Sequence, residues 1–132
     1  MNSFENEYVK FWFEDGILFS EFKYEIVLTL KHSEELIKIR HELSKGKNQY
    51  WVYSSKNIKE MTKETKEYAN LYGQDFLDAA AILVHSPYEK FLMKIFFQVK
   101  KPKVKVKVFT EKEEAVKWIT TIRNTALELG KN

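Results

Sequence analysis

The chain contains no cysteine, which excludes disulfide frameworks, thiolate zinc sites, iron–sulfur clusters and cysteine nucleophiles. That absence fits a reducing compartment. Only four glycines are present and none forms a Walker or Gly-x-Gly-x-x-Gly loop, so no phosphate-cradling turn is expected. No apolar run approaches the roughly 20 residues of a membrane-spanning helix, so no membrane insertion is expected. Residues 1–7 are acidic and polar, unlike a signal peptide. Arginine is scarce: Arg40 and Arg123 stand beside 20 lysines. The planar fork that reads phosphates and base edges is thus nearly missing, and no nucleic-acid partner is expected.

What is present is apolar and aromatic. Hydrophobic residues at 44% and aromatics at 15% exclude a disordered tail. A chain of 132 residues accommodates one core, with a radius of gyration of about 14 Å. The expectation is a soluble cytoplasmic protein with a single domain over 1–132 and a core over about 8–122. Net charge is only +3, but seven lysines and no acid lie between Lys90 and Thr110, leaving −4 elsewhere.

Alternation in Tyr8–Phe13, the Asp15-Gly16 pair and the aromatic run Ile17–Phe22 predict an antiparallel hairpin. Tyr24–Leu30 reads as a third extended run. The period then changes: Ser33 is placed to cap a helix reaching about Lys45, with Leu36, Ile39, Arg40 and Leu43 on its buried stripe and Gly46 beyond its end. A strand over Gln49–Ser54 follows, then a polar helix from Thr62 to about Tyr72, ended by Gly73. Ala79–Val84 reads as a central strand. Ser86, Pro87 and Glu89 form a capping box opening an apolar helix to about Gln98. Lys103–Phe109 alternates as a strand. Thr110 and Glu113 form a second box, opening a helix to about Leu129 with Ala115, Trp118, Ile119, Ile122, Ala126 and Leu129 as its core stripe. The pattern predicts an α/β (α+β) fold: a mixed sheet with an opening antiparallel hairpin and right-handed β-α crossovers.

Several segments resemble the SpoIIAA-like branch of the STAS superfamily, in particular its small uncharacterised bacterial STAS/SEC14-type proteins. They are the turn Glu14-Asp15-Gly16-Ile17, the strand residues Ala80, Ile82, Leu83 and Val84, and Ser86-Pro87. Phe96-Phe97 before Lys101-Pro102-Lys103 belongs with them, as does the run from Val108-Phe109-Thr110 to Glu114-Ala115-Val116-Lys117-Trp118-Ile119. That run is similar to an F-T-x-x-x-x-A-x-x-W-[LI] ending. The resemblance spans about Tyr8–Ile122. It implies a non-catalytic regulatory or protein-interaction module rather than an enzyme. Related anti-sigma-factor antagonists carry an Asp-Ser-Ser-Gly-like turn whose serine a partner kinase phosphorylates. The corresponding turn here is about Met61-Thr62-Lys63-Glu64, where the two serines are missing and Thr62 is the only hydroxyl.

Candidate site residues follow from both readings. Thr62 is either a phosphoacceptor at a helix N-terminus or simply its cap. Ser54 and Ser55 lie at the C-terminal edge of a parallel strand, where open α/β sheets bind ligands, or serve only a turn. Phe91, Leu92, Ile95 and Phe96 give the 87–98 helix more apolar surface than one core face requires. That surface would line a cavity for a small apolar or lipid ligand, bury a homodimer interface, or overpack the core. His32, His41 and His85 lack metal-ligand spacing, and no nucleophile elbow accompanies His85, Ser86 and Asp78, so neither metal nor cofactor is expected. The Lys100–Lys107 stripe reads as an edge strand guarded by charge, the alternative being a surface for nucleic acid or anionic lipid.

Overall fold

The computed structural model describes residues 3–130; Met1, Asn2, Lys131 and Asn132, the ends of the expected domain, lie outside them. In chain order the elements are β1 (Phe4–Glu5), β2 (Val9–Glu14), β3 (Ile17–Phe22), β4 (Ile26–Leu28), α1 (Leu30–Ser44), β5 (Gln49–Ser54) and β6 (Ile58–Met61). They continue with α2 (Lys63–Tyr72), β7 (Leu77–Leu83), α3 (Pro87–Val99), β8 (Lys105–Phe109) and α4 (Lys112–Glu128). Asp15 and Gly16 both take positive φ, 51° and 77°, as a tight β2–β3 turn requires. β1, β2 and β3 are antiparallel, whereas β3, β5, β7 and β8 run parallel in a six-stranded sheet of order β1-β2-β3-β5-β7-β8.

The side-chain period of two divides the core. Ile17, Phe19, Tyr50, Val52, Ala79, Ala81 and Leu83 face α4, where Ala115 and Ile119 are fully buried against them. Val9, Phe11, Leu18 and Phe22 face the opposite way, onto Leu36 and Leu43 of α1. The β3–β5, β5–β7 and β7–β8 steps all progress in one direction, so right-handed crossovers place α1, α2 and α3 together on that second face. The result is an asymmetric three-layer arrangement with α4 alone on its side.

Five expectations are corrected. The third extended run supplies only β4, which leaves the meander and pairs in parallel with β6 in a separate two-stranded sheet; the outer strand of the meander is β1 instead. The cap of α1 is Thr29, not Ser33: the Thr29 hydroxyl accepts from the His32 N–H at 3.4 Å and the His32 ring accepts from the Thr29 N–H at 3.1 Å. An imidazole does there what glutamate does in the familiar capping box, so Ser33 lies buried one turn inside. Thr110 caps nothing, because α4 starts after Glu111, which makes no side-chain cap bond. The acidic Glu113 and Glu114 face the helix N-terminus instead. The Ser86 box is half formed: Ser86 Oγ accepts from the Glu89 N–H at 3.1 Å, while the Glu89 carboxylate accepts from His85 N–H. Leu129 falls past the end of α4 and is exposed, not core.

Candidate functional site

Four parallel strands end on one edge of the sheet, and Ser54 and Ser55 stand there at the end of β5. Ser54 Oγ accepts from the Lys56 N–H at 3.2 Å. Ser55 gives both its N–H and its hydroxyl to the Leu83 carbonyl, at 2.9 and 3.2 Å. The Ser54 hydroxyl thus closes the β5–β6 turn on itself, and Ser55 ties that turn to the neighbouring β7. Thr62 occupies the N-cap of α2, exposed, with its Oγ1 accepting from the Thr65 N–H at 3.2 Å and lying 2.6 Å from the Thr65 hydroxyl. The bonds of Ser54 and Ser55 run to Lys56 and Leu83 and those of Thr62 to Thr65, so these three residues do not share one hydrogen-bonded cluster.

Asp78 and His85 sit at opposite ends of β7, roughly 20 Å apart along a strand that rises about 3.3 Å per residue. Asp78 accepts from the Asn48 amide at 3.0 Å, and Ser86 serves as a cap. These residues cannot meet as a nucleophile, base and orienting acid. Among the described residues, no group of three His, Asp or Glu is placed to hold a metal ion. No helix among them is long and apolar enough to cross a membrane.

Two clefts open between helices on the α1–α2–α3 face. One, about 420 Å³, lies between α1 and α2 beside His41, Tyr68, Tyr72 and Asp75. Burial and the neighbouring Arg40 charge lower the His41 pKa, with Asp75 pulling the other way. The second, about 370 Å³, runs between α2 and α3, where Lys63, Lys66 and Lys100 rim Phe96 and Val99.

The most unusual feature is α3 itself. Met93, Phe96 and Phe97 turn toward the protein and are only half-buried; no residue of the helix is fully buried. Its outer face exposes Tyr88 (68%), Phe91 (59%), Leu92 (46%), Ile95 (41%) and Val99 (75%). The surplus apolar surface is therefore not overpacking of the core. Of the four apolar candidates only Phe96 lines the α2–α3 cleft; Phe91, Leu92 and Ile95 do not line it. Sequence periodicity marked the helix as apolar but not which side the sheet would leave uncovered. Tyr88 and Val99, absent from the candidates, complete the exposed stripe.

The sequence profile described as "Domain of unknown function (DUF7793)" matches residues 11–123. No curated protein matches the chain. Among solved structures, an uncharacterized protein from the DUF3478 family with a SpoIIAA-like fold, from Shewanella loihica PV-4, superposes with a TM-score of 0.64. The two share 12% identity over 87% of this chain and 97% of that one. At that identity the likeness establishes the fold, which is SpoIIAA-like.

Proposed function

The chain belongs to the DUF7793 family, and on that footing we propose that it is a non-catalytic protein-interaction module that receives its partner on the outer face of α3. The observation that carries this reading is the exposure of five apolar side chains on one helix. A soluble monomer rarely keeps such a contiguous patch without a use for it. The polar candidates support the same reading, since Ser54, Ser55, Thr62 and Ser86 are each engaged in turn or cap bonds. Thr62 remains the one exposed hydroxyl in the turn where the SpoIIAA resemblance places a regulatory phosphate, and a phosphate there would meet the N-terminus of α2.

A second reading draws on the α2–α3 cleft. Its apolar floor and three rimming lysines, which outnumber the single acid Glu67 in the lining, suit an acyl chain with an anionic head. Two measurements separate the readings. A photo-reactive residue at position 95, irradiated in living cells, is expected to form protein adducts, while the same residue at exposed Lys117 is not. Native mass spectrometry is expected to give a mass free of lipid. Absence of protein adducts at position 95 together with a co-purified lipid would overturn the interaction reading.

A further inference from the structure

We infer that the face of α3 is covered by a second copy of this chain, the two α3 helices packing antiparallel about a two-fold axis between Leu92 and Ile95. This inference rests on the reading of that face as a protein contact surface and adds the identity of the partner. Tyr88, Leu92, Ile95 and Val99 recur at i, i+4, i+7 and i+11, the seam along which one helix receives another. A flat or irregular partner would not need that line. The stripe is also symmetric about its own middle: antiparallel pairing sets Tyr88 opposite the second copy's Val99 and Leu92 opposite its Ile95. A two-fold interface requires such self-complementarity.

Charge selects the direction. Glu89 in the first turn and Lys100 at the C-cap lie on the same flank of the stripe, 11 positions apart. Antiparallel packing brings Glu89 of each copy to Lys100 of the other and opposes the two helix dipoles. Parallel packing would carry the two Glu89–Lys100 flanks to opposite sides of the seam, so that neither pair could form. Area is consistent too. The five exposed side chains present roughly 500 Å² per copy, so the pair would bury about 1,000 Å², the lower bound of a specific interface.

The absence of cysteine makes the geometry testable directly. Sedimentation of the full chain is expected to show a dimer, and Ile95→Glu to raise its dissociation midpoint by at least about tenfold with unchanged circular dichroism. Should Ile95→Glu fail to fold, Val99→Glu, at the most exposed of these positions, serves instead. Tyr88→Cys and Val99→Cys are expected to cross-link when mixed under mild oxidation and not when each is alone. In the antiparallel pair two Tyr88 positions are about 16 Å apart along the axis at 1.5 Å per residue, far outside the roughly 7 Å reach of a disulfide. A monomer at high micromolar concentration, a dimer indifferent to both glutamates, or cross-linking of either variant alone would overturn the inference. A monomer whose position-95 adducts contain a different protein would leave the interaction reading standing; a monomer without protein adducts would overturn both.

Discussion

The guanidinium of Arg40 donates to the carbonyl oxygen of Gly73 at 3.0 Å, joining the middle of α1 to the C-cap of α2 across 33 positions of chain. The same side chain is wholly buried. It also donates to Gln49 Oε1 at 2.9 Å, to the Phe76 carbonyl at 3.3 Å and to the Asp75 carbonyl, with the Trp51 ring 5.0 Å away. Burial pulls its pKa down to about 10, against the raising effect of Asp75, so it stays charged at neutral pH. The fork holds a turn that is hard to hold otherwise. Phe76 takes a φ of 57°, costly for a bulky residue, and its carbonyl is gripped by both Arg40 and the Gln49 N–H. Gly73 is fixed as well, since a Cβ there would collide with the Ala69 carbonyl.

Arg40→Leu should therefore strand several buried acceptors at once. Each orphaned group costs about 1–3 kcal/mol, so the loss should be about 3 kcal/mol or more. Arg40→Lys should restore only part of it, because an ammonium cannot span carbonyls on both sides of the turn. Urea midpoints check both; a loss below about 1 kcal/mol for Arg40→Leu would show that the turn holds itself.

His41, next along α1, makes stability depend on pH. Its ring meets the Phe76 ring edge-on at 5.1 Å and its Nε2 is buried without a partner. Burial first and the Arg40 charge second disfavour its protonation, while Asp75 favours it. With the folded pKa below the ordinary value of about 6.5, the unfolded chain takes up the proton first. The contribution is complete above about pH 6.5 and is lost as pH falls through the lowered folded value. The melting temperature should thus drop between pH 7.5 and 5.5 more in the parent than in His41→Gln. Parallel drops would overturn this, leaving the carboxylates to account for the whole acid response.

Helix starts give a sharper contrast. Thr29→Ala and Ser86→Ala each remove an acceptor for a first-turn N–H and should cost about 0.5–2 kcal/mol. Thr110→Ala should stay within about 0.5 kcal/mol, because Thr110 caps no helix. Chemical denaturation of the three variants decides the matter, and a cost at Thr110 equal to the others would mean that α4 begins a residue or two earlier.

Local signals carried most of the fold. The Asp15-Gly16 turn, the Ser86-Pro87 start and the alternation in Lys105–Phe109 each need only neighbours in the chain. Arg40 was visible as a member of the buried stripe of α1, although nothing local reveals that its acceptors lie around residue 75. What escaped depends on distant contacts. β1 and β6 are short and become strands only by pairing with β2 and β4. Ser33 looked like a cap because serine before two glutamates usually is one; His32 took the reciprocal role one turn earlier. At the candidate site, periodicity found Phe91, Leu92 and Ile95, but their exposure depends on how shallowly α3 rests on β7 and β8, which no window of sequence contains.

The two edges of the main sheet are protected in different ways, and the difference is testable. β1 ends the sheet with only two residues, and Glu5 is pinned there by an ion pair with Lys23 at 2.6 Å. β8 is longer, parallel to β7, and offers a free row of backbone groups on its outer side. Its exposed Lys105 and Lys107 repel an approaching strand, with Lys107 anchored 5.5 Å above the Phe109 ring. Lys103 falls before the strand and is not part of this guard. Replacing Lys105 and Lys107 by Thr keeps strand propensity and removes the repulsion. The double variant should fold as the parent does yet form larger assemblies at high concentration. If the lysines instead served a polyanion, the parent would bind nucleic acid or anionic vesicles with steep salt dependence, since each neutralised phosphate releases counterions. The variant would then lose that binding without assembling further. Sedimentation of both proteins beside vesicle and nucleic-acid binding at two salt concentrations separates the cases. Salt-sensitive binding by the parent that vanishes in an unassembled variant would assign the stripe to a ligand; larger assemblies without such binding would assign it to the edge.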